Sequence, residues 1–164
     1  FIDKHAAHER MNFDRMKAEG YDPMSQTLLA PAVCRLSPEE HAALTARLPL
    51  LEEFGFAAED FGGGALIVRR APFDVDPGDI EATLTEIARK LLSTGSADPA
   101  AARDELLHTM ACKAAIKGGW RTSPQELERM ARAVMSGQVR YCPHGRPVAI
   151  ELTRGQLEKQ FKRA

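Results

Sequence analysis

The candidate metal ligands of this chain stand at its two ends, and that separation limits what the chain can fold into. Asp3-Lys4-His5-Ala6-Ala7-His8-Glu9 places an aspartate, two histidines and a glutamate within one short stretch. The remaining candidates, Cys112, Cys142 and His144, follow only after Glu105. If these groups act on one cation, the fold must bring the chain ends together. Residues 37–104 contribute no candidate.

Local spacing supports a shared site. On a helix, His5 and Glu9 are one turn apart on the same face. His8 lies about 60° round from His5, and Asp14 about 140° round from Glu9, at about 100° per residue. Asp14 is therefore not expected in the same ligand shell. Asp3 precedes the helix and can point toward the same spot. In the Cys142-Pro143-His144-Gly145 stretch, a Cys-x-His pair sits where the proline restricts the backbone and the glycine permits a sharp turn. Such a pair can form half of a zinc site. The spacing matches neither the Cys-x-x-Cys of zinc ribbons nor the His-Glu-x-x-His of metalloproteases. His108, four residues before Cys112, could stand behind the ligands, but its simpler reading is a helix-surface imidazole. Cys34 and His41 read as structural.

Charge and cysteine content narrow the function classes. Lys plus Arg (22) nearly balances Asp plus Glu (23), so no global basic field draws the domain to nucleic acid. Any DNA binding is expected to be local, weak and salt-sensitive. No apolar run approaches the roughly 18–20 residues of a membrane span. Three cysteines in 164 residues favour free or metal-bound thiols over a disulfide framework.

The pattern of elements is mixed α+β. Residues 5–19 predict a helix ended by Gly20, and 26–36 a strand with an irregular entry. Ser37-Pro38-Glu39-Glu40 is a capping box that opens a helix to about Phe54, which Pro49 should kink or split. Residues 55–73 predict a hairpin turning at Gly62-Gly63-Gly64. Asp76-Pro77 opens a helix with the stripe Ile80, Leu84, Ile87 and Leu91. Asp98-Pro99 opens a long helix that ends at Gly118-Gly119. Ser123-Pro124-Gln125-Glu126 opens another with Leu127, Met130 and Val134 inward. Residues 141–152 predict a loop passing into a strand, and Thr153 to Gln156 caps a last short helix. Phe1-Ile2-Asp3 reads as the end of a buried strand, as in a piece of a larger protein.

Taken together, the motifs resemble the C-terminal domain of the MutL mismatch-repair family in its endonuclease-bearing form. The family's Asp-Gln-His-Ala-x-x-Glu-x-x-x-x-Glu motif is similar to Asp3 through Glu9 followed by Asp14. Its Ala-Cys-Arg/Lys motif is similar to Ala111-Cys112-Lys113, and its Cys-Pro-His-Gly-Arg-Pro motif is matched without change from Cys142 to Pro147. Its terminal Phe-x-Arg resembles Phe161-Lys162-Arg163. Lys4 stands where the family has Gln, and Asp14 where it has Glu.

The resemblance implies a two-lobed α+β fold: a dimerisation and endonuclease lobe from residues 1–36 and 105–164, and an external regulatory lobe from 37–104. It implies a DNA-nicking endonuclease with Asp3, His5 and Glu9 catalytic, and Asp3, His5, Glu9, Cys112, Cys142 and His144 as metal ligands. Ligand softness together with the resemblance points to zinc as the tightly held ion and manganese or magnesium as the catalytic one. Arg146 and Arg163 would contact phosphate. Gln26, Leu29 and Pro31 resemble the family's sliding-clamp peptide, although the same stretch also reads as a strand entry with two buried leucines. Further implied partners are a second copy, double-stranded DNA and, through the full-length protein, the mismatch-recognition protein MutS, in a bacterial cytoplasm. The departures at Lys4 and Asp14 also permit a second reading, a dimerisation module with structural zinc and no catalysis.

Overall fold

The computed structural model describes residues 1–94, 98–119 and 122–162, without the side chains of 116–119. Arg163, expected at phosphate, lies outside the described residues. The fold is α+β: helices α1 (Lys4–Glu19), α2 (Pro38–Thr45), α3 (Leu48–Glu53), α4 (Ile80–Ser93), α5 (Pro99–Gly119), α6 (Pro124–Met135) and α7 (Arg154–Gln160) with strands β1 (Ser25–Arg35), β2 (Ala57–Gly62) and β3 (Ala65–Pro72).

Helix starts follow local chemistry. The Ser37/Glu40 and Ser123/Glu126 pairs form reciprocal capping boxes, with serine Oγ accepting from the glutamate N–H at 3.2 Å and glutamate accepting from the serine N–H at 3.0 Å. Thr153 and Gln156 do the same for α7. The helix expected to run to about Phe54 is divided into α2 and α3, with Pro49 in the first turn of α3, where a missing N–H costs nothing.

The sheet order is β1-β3-β2, antiparallel throughout. Gly62, Gly63 and Gly64 all take positive φ, 81°, 61° and 78°. Three consecutive left-handed residues are open to glycine and strained for any L side chain, so this turn is legible in sequence. In β1 the register jumps between Thr27 and Ala32 while β3 moves only from Arg70 to Val68. Residues 28–31 are therefore a bulge. Leu28 is partly buried against the core while Leu29 is fully exposed, so the expected pair of buried leucines is not formed.

The larger hydrophobic cluster joins sheet and helices: Leu66 and Val68 of β3, Leu84 and Ile87 of α4, Leu106 and Met110 of α5, and Phe13 and Met16 of α1. All four residues of the expected α4 stripe are buried. A second, smaller cluster joins the chain ends: Ala6 and Ala7 with Met130, Ala133, Val139, Cys142 and Val148. α1 lies along α5 and touches α6, so it borders both.

Two expected features differ. Residues 141–152 form no extended strand; they make isolated antiparallel bridges, Tyr141 to Pro147 and Ile2 to Ala149. Pairing with the first residues (Asp3 N to Val148 O, 2.8 Å; Ile150 N to Phe1 O, 2.9 Å) stops because helix α1 begins at Lys4. Leu127, expected inward, is 44 % exposed; α6 buries Met130, as expected, together with Ala133, the pair three apart that faces α1.

Candidate metal centre

Helix α1 starts because the Asp3 carboxylate accepts the Ala6 N–H at 3.0 Å. His5 is exposed in the first turn of α1 and Glu9, one turn further on, is buried. From the other side, α5 brings Cys112 against α1. One ligating atom each from His5, Glu9 and Cys112 lies within 4.8 Å of the others. Ligands sharing a zinc at about 2.0–2.3 Å stand roughly 3.3–3.8 Å apart, so the three atoms already approach that spacing.

The Cys142–Pro147 segment brings the fourth group. Gly145 N donates to Cys142 O at 2.9 Å, closing a turn with Pro143 and His144 at its tip, and Cys142 N donates to Arg146 O at 2.8 Å. Pro143 presets the first central residue of such a turn, and Gly145 takes φ 79° just after it. His144 Nδ1 consequently lies 3.1 Å from Glu9 Oε1. The contact lacks hydrogen-bond geometry: Oε1 is buried and has no hydrogen-bond partner, while Glu9 as a whole is 2 % exposed. Buried polar atoms are nearly always satisfied. An orphan carboxylate oxygen beside two imidazoles and a thiol, with donors N, O, S and N, fits a divalent cation of borderline softness such as zinc.

The other expected residues have definite places. Asp3, Cys142 and His144 fall outside the three-residue group; His144 approaches it through Glu9, Asp3 serves as the helix cap, and Cys142 is buried in the small cluster with Ala6, Ala7 and Val148. Arg146 is exposed on the same loop as His144. Asp14 pairs with Arg10 at 2.9 Å, away from the ligands. Gln26 donates its side-chain amide to Val75 O at 3.0 Å, and Leu29 and Pro31 are exposed.

His108 is not the plain surface group favoured from sequence. Its ring meets Phe13 at 4.3 Å and His144 at 5.8 Å between centroids, both edge-to-face. Burial, reinforced by neighbouring His144, pushes its pKa down to about 4, so it is neutral near pH 7. The available signal was its i, i+4 relation to Cys112. Burial, with the negative charges of Glu9 and Glu86, holds the Cys112 thiol above its usual range. His8 points elsewhere, to a cleft shared with Asn12 and Arg15, and burial lowers its pKa. His41 meets Asp60 at 3.0 Å, a partner that the sequence did not suggest.

Residues 1–122 match the family described as the MutL C terminal dimerisation domain. The chain belongs to the MutL C-terminal domain family. Relatives named DNA mismatch repair protein MutL include those of Anaeromyxobacter dehalogenans (42 % identical over 173 residues), Acidiphilium cryptum (38 % over 168) and Caldanaerobacter subterraneus (32 % over 163). Each alignment takes in 99 % of this chain but only 27 %, 29 % and 28 % of the respective relative. This MutL-family domain thus spans under a third of the relatives it matches. Among the described residues no helix is long and apolar enough to cross a membrane.

Proposed function

We propose that this domain serves DNA mismatch repair as a homodimerising, metal-dependent nicking endonuclease. The observation that carries the reading is the buried, hydrogen-bond-free Oε1 of Glu9 facing His144, in a group with His5 and Cys112. His5, Glu9, Cys112 and His144 would hold zinc, with Cys142 supporting or joining them from beneath the turn. Manganese or magnesium would take the more oxygen-rich side toward Asp3. A divalent ion here would lower the pKa of a water and neutralise charge on a scissile phosphate. The chain's own contributions are to fix the donors on two packed helices and to present Arg146, exposed on the His144 loop, to a phosphate by paired N–H donors. Cys112 must lose its proton to bind, so metal loading is expected to release protons.

The test is nicking of supercoiled plasmid by the full-length protein with manganese. Asparagine caps helices as well as aspartate does, so Asp3→Asn preserves the start of α1. If the Asp3 carboxylate takes part in the chemistry, the variant loses about 10²- to 10⁴-fold in rate. Full activity in Asp3→Asn would remove that residue from the mechanism. No nicking by the wild type, with zinc bound and the dimer formed, would favour the structural-zinc reading.

The β1 bulge supports the sliding clamp as a partner. Leu29 projects fully into solvent, as a peptide anchor must, while the Gln26 amide is tied to Val75 O. Leu29→Ala is expected to weaken clamp binding at least about tenfold and more than Gln26→Ala does. Calorimetry with purified clamp reads both; equal affinity in wild type and Leu29→Ala would end the proposal. MutS would engage only through the full-length protein.

A further inference from the structure

We propose that His108 is a positioning residue: its ring, braced by Phe13, seats His144 beside Glu9 so that the turn completes the ligand set. The inference rests on the metal-site reading above.

His144 stands at the tip of a turn with its side chain 39 % exposed. Burial alone does not select its rotamer. Its close contacts include Glu9 Oε1 at 3.1 Å and the His108 ring at 5.8 Å between centroids, interplanar angle 61°. Edge-to-face aromatic pairs favour centroid separations of about 4.5–7 Å. His108 is itself fixed from behind, edge-on to Phe13 at 4.3 Å and 65°.

The placement follows helix geometry. Phe13 lies one turn beyond Glu9 on α1, and His108 one turn before Cys112 on α5. Residues four apart share a helix face. The two helices that carry ligands on one level therefore carry a pair of rings on the next. These rings form a floor under His144, the ligand at the tip of the loop. Groups behind metal ligands orient them, and losing one commonly costs about 10- to 100-fold in metal affinity.

The experiment compares wild type, His108→Ala and His108→Phe in the domain, with three readouts: zinc affinity by chelator competition, thermal melting, and the ring-proton resonances of His144 without metal. Zinc affinity is expected to fall about tenfold in His108→Ala and to recover in His108→Phe. The His144 resonances of the metal-free protein should shift in the alanine variant and return toward wild type in the phenylalanine variant. Unchanged affinity in a folded His108→Ala overturns the proposal. So does equal loss in both variants, which would make His108 a nitrogen donor. If the wild type binds no zinc, the metal-site reading fails, and the metal-free resonances alone decide: a shift restored by phenylalanine supports the seating role, and no shift ends it.

Discussion

Glu9→Gln is expected to weaken zinc binding on the order of a hundredfold while making the metal-free domain more stable. The side chain is 2 % exposed and its Oε1 has no hydrogen-bond partner. With about 10–16 kcal/mol for a four-donor zinc site, each donor is worth roughly 3 kcal/mol, so losing one weakens binding on the order of a hundredfold. Without metal the sign reverses. A buried unsatisfied polar atom costs about 1–3 kcal/mol. A glutamine amide of the same shape lowers that cost, because burying an uncharged amide costs less than burying a carboxylate. At about 2–4 °C per kcal/mol for a domain of this size, metal-free Glu9→Gln should melt roughly 2–10 °C higher than wild type. Zinc should then raise the melting point of the wild type but hardly that of the variant. Chelator competition and melting curves with and without zinc read both effects. Equal zinc affinity in the two proteins would remove Glu9 from the ligand set.

The second large effect is structural. Phe54→Ala should destabilise the domain by about 3–5 kcal/mol, lowering the melting point by roughly 10–15 °C. Phe54 is fully buried. It packs on Tyr21 at 5.2 Å between centroids and lies under the Arg103 guanidinium at 5.4 Å. It thus ties the end of α3 to the segment after α1 and to α5, the two helices that carry Glu9 and Cys112. Phe161, 74 % exposed, supplies the control: Phe161→Ala should change stability by less than about 0.5 kcal/mol. Urea unfolding of both variants checks the contrast; a Phe54→Ala domain as stable as wild type would mean the larger cluster does not hold the helices in place.

Much of the fold could be read ahead of the structure where the governing contacts are local. Ser37 with Glu40, and Ser123 with Glu126, cap helices within three residues of themselves. The Gly62–Gly64 turn needs left-handed backbone wherever the rest of the chain goes. Reading failed where a distant partner decides. Leu127 and Met130 look alike on a helical wheel, yet only Met130 meets the cluster beneath α6. Residues 147–152 look like a strand, but their neighbour is the three-residue segment before α1, long enough only for isolated bridges. Leu29 looks buried in an apolar run, and the β1 bulge turns it out.

The candidate site divides in the same way. Its donor types were legible: the His5–Glu9 spacing shares a helix face by geometry alone, and Pro143 with Gly145 makes a turn wherever it sits. The family resemblance, not spacing, joined Cys112 and His144 to them. What tertiary structure decided is that α1 lies along α5, because Phe13 and Met16 bury against the same cluster as Leu106 and Met110. That non-local burial leaves an oxygen of Glu9 dry and unbonded beside His144, and turns His108 from a surface imidazole into a ring wedged between Phe13 and His144. Short-range rules place donors on elements; only the packing of one element on another sets which donors meet.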